Sequence, residues 1–226
     1  MLEGGCSTAD NNIYCVGGGN YTDPRYAYYA PVSAYGIGQW KATTPYPTGL
    51  FDAGCLIYSG YMYCTGTEYV NTSANTINLT SLGDVYYAPV SESGIGNWIK
   101  TTTYPIPFFG AGCSAYNSTI YCVGDGYPNA TFRQSAYYAP ILASGSIGAW
   151  KRTTDYPVPL TYAGCVVSNG YLYCVGSYNS TNQSEAFYAP VSRNGIGTWN
   201  ATTSYPVPFF DAYCSTNGDS GGFYSS

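Results

Sequence analysis

Cysteines and Asn-x-Ser/Thr triplets are the residues of this 226-residue chain whose type and spacing bear most directly on chemistry. Eight of the nine cysteines fall into pairs nine residues apart: Cys6/Cys15, Cys55/Cys64, Cys113/Cys122 and Cys165/Cys174. A two-residue hairpin loop midway would fall at Asp10-Asn11, Ser59-Gly60, Asn117-Ser118 and Asn169-Gly170. Each pair then becomes a direct cross-strand pair, and Asn-Gly is the strongest type I′ signal among the four. Directly opposed residues lie about 4.5–5.5 Å apart at Cα, which is within disulfide reach. The spacing does not suit a Cys-x-x-Cys metal knuckle, and there is no histidine to complete a zinc site. Reduced, buried thiols are the remaining alternative. The expectation is four hairpin disulfides, each worth about 2–3 kcal/mol, formed in an oxidising compartment or a hyperthermophile. The ninth cysteine, Cys214, has position 223, a phenylalanine, as its expected cross-strand partner. It is expected to form an intermolecular bond, to remain a free thiol, or to belong to a longer chain.

Asn20, Asn71, Asn78, Asn117, Asn129, Asn179, Asn182 and Asn200 each open an Asn-x-Ser/Thr triplet. Chance in a chain of this Ser/Thr content gives about three. Six of these asparagines follow the second cysteine of a pair. Asn117 sits on a hairpin tip and Asn200 beside Trp199. Covalent N-glycans shielding one rim of the molecule are therefore expected.

The sequence holds no recognisable catalytic constellation. Without histidine there is no Ser-His-Asp or Cys-His machinery. A glycosidase needs two opposed carboxylates. Asp125, Asp155, Asp211 and Glu185 are available, but no motif marks them, and solvated surface acids are the expectation. A three-arginine carboxylate clamp would need most of the four arginines, Arg25, Arg133, Arg152 and Arg193. The net charge of −5 and the scattered basic residues argue against nucleic-acid binding. No apolar run is long enough for a transmembrane helix, and the first residues do not form a signal peptide. Either a signal has been removed, or export takes another route, or residue 1 is not the natural start. No metal and no cofactor is expected.

The elements that position these residues come from a repeat. All four tryptophans open one phrase: Trp40-Lys-Ala-Thr-Thr-Pro-Tyr-Pro47, Trp98 to Pro105, Trp150 to Pro157 and Trp199 to Pro206. Tyr-Ala-Pro lies upstream of each, at Tyr29, Tyr87, Tyr138 and Tyr188. Gly-Ile-Gly or Ser146-Ile147-Gly148 lies between. Each tryptophan is followed 15 residues later by a cysteine, and the period is 58, 52 and 49 residues. The variation lies mainly between the second cysteine and Tyr-Ala-Pro, where insertion costs little, so that stretch reads as a surface loop. One extra residue precedes Trp150. The constant parts read as four strands per unit: a Cys-to-Cys hairpin, the Tyr-Tyr-Ala-Pro-Val strand and a tryptophan strand after the Gly-Ile-Gly turn. Four strands in about 50 residues is the propeller signature.

A unit such as Ala163-Gly164-Cys165, Tyr171-Leu-Tyr-Cys-Val-Gly176, Phe187-Tyr-Ala-Pro190, Trp199 and Tyr205-Pro206 resembles a kelch repeat. The sequence departs from the kelch Gly-Gly by usually keeping one glycine (Gly66, Gly124, Gly176). The resemblance implies an all-β, kelch-like β-propeller of about four four-stranded blades, starting near Cys6, Cys55, Cys113 and Cys165, with a fifth begun at Cys214. It says almost nothing about activity. The absence of histidine excludes the copper site of the galactose-oxidase relatives of kelch. Ser91-Glu-Ser-Gly-Ile-Gly-Asn-Trp98 is similar to the Asp-box turn of sialidases, with its Asp missing. The Tyr/Ser/Thr/Asn-rich, charge-poor style also resembles extracellular glycoproteins of thermoacidophilic archaea and their spindle-shaped viruses.

Residues 1–226 then form a single propeller domain or part of a longer array. The repeat tyrosines and the tryptophans are expected to pack between blades, while Tyr69, Tyr127 and Tyr178 sit on accessible loops and Thr43-Thr44 on an exposed strand. Phe209 and Phe210 are expected to meet water at a terminal sheet face and to call for a neighbour. The functional expectation is a non-enzymatic extracellular glycoprotein with a structural or adhesive role in a surface assembly. That assembly is a virion tail or host-attachment component, or an archaeal cell-surface appendage, with other protein subunits as partners. The alternatives are a lectin-like module binding cell-surface glycans and a non-catalytic part of a glycan-active enzyme.

Overall fold

The structure is a computed structural model that describes residues 2–19, 25–72, 76–80, 83–106, 110–125, 132–179, 181–209 and 214. The described residues contain strands and turns and no helix. They fall into two compact units, one built on Met1–Ile106 and one on Pro107–Gly222. Each unit holds two antiparallel sheets.

In the first unit, blade one comprises β1 (Leu2–Ala9), β2 (Asn12–Gly19), β3 (Ala27–Ser33), β4 (Gly36–Ile37) and β5 (Lys41–Ala42). Blade two comprises β6 (Leu50–Tyr58), β7 (Tyr61–Thr72), β8 (Thr76–Thr80), β9 (Val85–Ser91), β10 (Gly94–Ile95) and β11 (Ile99–Lys100). In the second unit, blade three comprises β12 (Gly112–Tyr116), β13 (Thr119–Asp125), β14 (Arg133–Pro140) and β15 (Lys151–Arg152). Blade four comprises β16 (Gly164–Ser168), β17 (Tyr171–Tyr178), β18 (Asn182–Ser192), β19 (Gly195–Ile196) and β20 (Asn200–Thr202). The fold class is the β-propeller that the repeat predicts, with each blade opening near a cysteine pair.

The hairpins form in the expected register. Cys6, Cys55, Cys113 and Cys165 stand directly opposite Cys15, Cys64, Cys122 and Cys174. All four pairs are disulfides, with Cα–Cα separations of 4.1–4.2 Å. Both central residues of every turn have positive φ, from 47° at Asn117 to 78° at Gly60. This is the type I′ geometry whose twist matches the flanking strands.

Three features differ from the sequence reading. First, each tryptophan precedes the last strand rather than lying in it, and that strand is two or three residues long. The Trp98 and Trp199 indoles are taken up by the preceding blade, so pairing with the third strand resumes only at the next residue. Second, the variable stretch is not a plain loop. In blade two, β7 runs on to Thr72 and pairs with β8 down to Thr72↔Thr76. In blade four, β17 and β18 pair out to Tyr178↔Asn182. Thr, Val and Ile favour the pleated conformation, and an antiparallel extension satisfies the added backbone groups. Third, the extra residue before Trp150 is absorbed in a turn closed by Leu142 N–H to Ser146 O at 2.9 Å, with Ile141 bridging Ile147 in place of a paired strand.

The core of each unit lies between its two blades. In the first unit Tyr14, Val16, Tyr29 and Tyr46 pack against the Cys55–Cys64 bridge, Met62 and Ile95. In the second, Tyr121, Val123 and Tyr156 pack against the Cys165–Cys174 bridge, Leu172 and Ile196. A single propeller sheet cannot bury both faces, so its stability depends on the neighbour.

Candidate functional site

Among the described residues the most organised constellation is the seam between the two blades of each unit, and it repeats almost atom for atom in the two units. In the first unit, the hydroxyls of Thr43 and Thr44 donate to Ile95 O at 3.1 and 2.7 Å, and Ile95 N–H donates to Thr43 Oγ1 at 2.8 Å. Trp98 Nε1–H donates back to Thr44 O at 3.2 Å. In the second unit, Thr153, Thr154, Ile196 and Trp199 make the same four bonds at 3.1, 2.8, 2.8 and 3.3 Å. The threonine pairs are thus half of an interface and not an exposed strand. Sequence reasoning missed this because Thr-Thr has no pattern of its own; its constant offset of three and four residues from tryptophan was the available signal.

The tyrosine of each Tyr-Pro closes the seam. Tyr46 meets Tyr86 and Trp98 edge to face, with centroids 5.3 and 5.0 Å apart. Tyr156 meets Phe187 and Trp199 at 5.2 and 4.8 Å. These are favourable aromatic geometries. The phenols donate to Cys64 O and Cys174 O. Burial pushes both phenols above the ordinary tyrosine range, with Tyr86 adding to it at Tyr46 and Glu185 at Tyr156. The tyrosine before the second cysteine makes another link: Tyr14 and Tyr121 donate to Ser91 O and Ser192 O at 2.8 and 2.9 Å. The repeat tyrosines Tyr29, Tyr87 and Tyr188 stack on Tyr14, Tyr63 and Tyr173 of their own blade, and Tyr29 and Tyr138 also lie against Gly94 and Gly195 of the next blade.

Glycine permits the close approach. Gly94 and Gly195, at φ 112° and 113°, leave no room for a Cβ, which would stand 2.5 Å from the hydroxyl of Thr43 or Thr153. The single glycine after the second cysteine has a different neighbour. A Cβ on Gly176 would stand 2.7 Å from the Phe209 ring, and Gly124 carries Leu160 in the same way. Both glycines have positive φ and lie within a register shift.

Among the described residues the candidate acids and arginines form no such constellation. Asp155 is in an exposed ion pair with Arg152 at 2.7 Å. Asp125 ends β13 opposite Arg133. Glu185 and Arg25 are exposed, and exposed Arg193 lies 3.5 Å from Asn117 Oδ1. Asp211 lies outside the described residues. Among the described residues no three His, Cys, Asp or Glu side chains are grouped to hold a metal.

Of the sequons, Asn117 and Asn200 are exposed, and Asn179 is half-buried with its carbonyl oxygen accepting from Gln183 at 2.7 Å. Asn71, Asn78 and Asn182 lie on β7, β8 and β18. Asn20 and Asn129 lie outside the described residues, as do Tyr127, Phe210 and position 223. Tyr69 lies on β7. Tyr178 is not an accessible loop residue: it is half-buried, edge to face with Phe132 at 5.6 Å and bridged to Thr161. Phe209 is likewise half-buried, because it covers Gly176 and meets Tyr205 at 4.5 Å. Cys214 is a free thiol, and burial raises its pKa.

No family model matches the chain, and no curated protein matches it. Solved structures do. The structure of YjhT is similar over 92% of this chain with a TM-score of 0.70 and 13% sequence identity. The chain spans 66% of the length of that protein. The likeness is one of fold.

Proposed function

We propose that this chain is a non-enzymatic, kelch-like extracellular glycoprotein with a structural and adhesive role in a surface assembly, on a virion or on a cell envelope. The observation that carries the reading is the stapling of every blade: each of the four sheets has its own disulfide across its first hairpin. Such bridges persist in oxidising surroundings and keep a sheet in register when the chain meets denaturing conditions. The exposed sequons at Asn117 and Asn200 support a glycosylated surface. A non-catalytic role is supported by a sequence without histidine and by the pairing of Asp155 with Arg152 on an exposed surface. The polar organisation of the molecule goes into joining blades, which is the work of a scaffold.

Immunogold labelling of intact native particles or cells with an antibody to the folded chain tests this reading. Label on the outer surface is the expected result. Label confined to the interior overturns it.

A further inference from the structure

We infer that blade four of one copy docks onto blade one of a second copy of this chain, through the same seam that joins consecutive blades inside each unit. The inference takes from the proposed function only that the chain works within an assembly.

The seam has two halves. The leading half consists of the threonine pair, the Tyr-Pro tyrosine and the tyrosine before the second cysteine. The receiving half consists of the isoleucine of the glycine turn, the indole, the carbonyl of the second cysteine and the carbonyl that ends the third strand. In blade four the leading half is exposed among the described residues. Tyr205 is 49% exposed, whereas Tyr46 and Tyr156 are each 2% exposed. Tyr173 is 41% exposed, whereas Tyr14 and Tyr121 are fully buried. Thr202 and Thr203 are exposed as well.

In blade one the receiving half is uncovered. Ile37 is 54% exposed against 4% for Ile95 and Ile196. Trp40 is exposed, and a Cβ on Gly36 would meet nothing within 4 Å, where the equivalent Gly94 and Gly195 are pressed against threonine. The Cys6–Cys15 bridge is half-buried, whereas the other three bridges are buried. A groove of ≈ 660 Å³ opens here, bounded by Ala9, Ile13, Val32, Ser33 and Ile37. Ser33 is the counterpart of Ser91 and Ser192, whose carbonyls accept a tyrosine hydroxyl from the neighbouring blade.

Both halves are therefore present on one chain, exposed among the described residues, and matched in residue type. In the docked pair, Thr202 and Thr203 take the places of Thr43 and Thr44 against Ile37. Tyr205 O–H donates to Cys15 O, Tyr173 O–H to Ser33 O, and Trp40 Nε1–H to Thr203 O. Exposed aromatic surface of this kind marks an interaction site, and the few charges of the chain offer little repulsion. The contact is head to tail, so every copy offers one half of each kind.

Sedimentation of the full 226-residue chain, with its disulfides intact and across the micromolar range, tests the docking. The unmodified chain is expected to associate with increasing concentration. Ile37→Arg and Tyr205→Arg are each expected to weaken association roughly tenfold or more. Tyr173→Arg serves as a second leading-half variant, and all three positions are exposed, so the fold tolerates them. An equimolar mixture of the Ile37 and Tyr205 variants retains one intact half from each and is expected to form heterodimers and nothing larger. A chain that stays monomeric, variants that associate like the unmodified chain, or a mixture without heterodimers overturns the docking. A monomeric chain with outward surface labelling would sink the docking and leave the proposed function standing.

Discussion

The phenol of Tyr46 leaves its own blade and donates a hydrogen bond to the carbonyl oxygen of Cys64, 3.3 Å away in the next. Tyr156 does the same to Cys174 at 3.4 Å. A side chain at the end of one repeat thus ties down the hairpin disulfide strand of the following one. Tyr46→Phe keeps the ring between Tyr86 and Trp98 and removes the bond, which should cost about 0.5–1.5 kcal/mol. Tyr46→Ala also empties the space between blades and should cost about 3–5 kcal/mol. Chemical denaturation of both variants checks the order. Equal losses would mean that the ring contributes nothing beyond its hydroxyl.

The four disulfides differ in access to solvent. Cys55–Cys64, Cys113–Cys122 and Cys165–Cys174 are buried, and Cys6–Cys15 is half-buried. A phosphine reductant under native conditions, at a concentration where the chain is dilute, should open Cys6–Cys15 first. Alkylation followed by peptide mapping reads the order. The same maps report the pairing itself, and a bridge between two different hairpins would contradict the register.

The hairpins were legible in the sequence because a spacing of nine admits one symmetric two-residue turn, and the turn residues Asn169-Gly170 tolerate the positive φ that it demands. The blade count was legible because tryptophan, Tyr-Ala-Pro and cysteine recur at fixed offsets. The seam was much less so. That Thr43 bonds Ile95, 52 residues away, depends on how one sheet lies on the next, and neither residue has a pattern that names its partner. Tyr205 was harder still. It has the same local sequence as Tyr46 and Tyr156, and its exposure follows from the absence of a covering blade among the described residues. The β7–β8 extension has the sequence signature of a loop, a variable length between constant repeats, whereas its Thr- and Val-containing strands pair.

Among the sequons, accessibility differs. Asn117 sits on a turn tip and Asn200 on β20, both exposed, whereas Asn179 is half-buried with its amide oxygen engaged by Gln183. Glycan should therefore be found at Asn117 and Asn200 in chain isolated from its native source, with lower occupancy at Asn179. Glycopeptide mass spectrometry measures the three occupancies. Unmodified Asn117 and Asn200 would remove the support for a glycan-covered surface.

Alkaline pH should loosen the seams. Burial raises the Tyr46 and Tyr156 phenols above the ordinary tyrosine range, and burial also raises Tyr14 and Tyr63. A folded-state pKa above the unfolded one means that the folded chain holds its proton longer. The stabilisation is therefore fully present below about pH 10, and it falls as pH rises from there through the folded-state values. Each such tyrosine contributes a slope of about 1.4 kcal/mol per pH unit inside that window. The chemistry agrees with the sign: a phenolate has no hydrogen to donate to Cys64 O or Cys174 O, and burying its charge is costly. Denaturation midpoints measured from about pH 8 upward, followed together with phenolate absorbance, should show loss of stability beginning near pH 10. Tyr46→Phe and Tyr156→Phe should each reduce the slope, since phenylalanine does not titrate. Stability that is unchanged above pH 10 while the phenols ionise would show that these tyrosines do not hold the blades together.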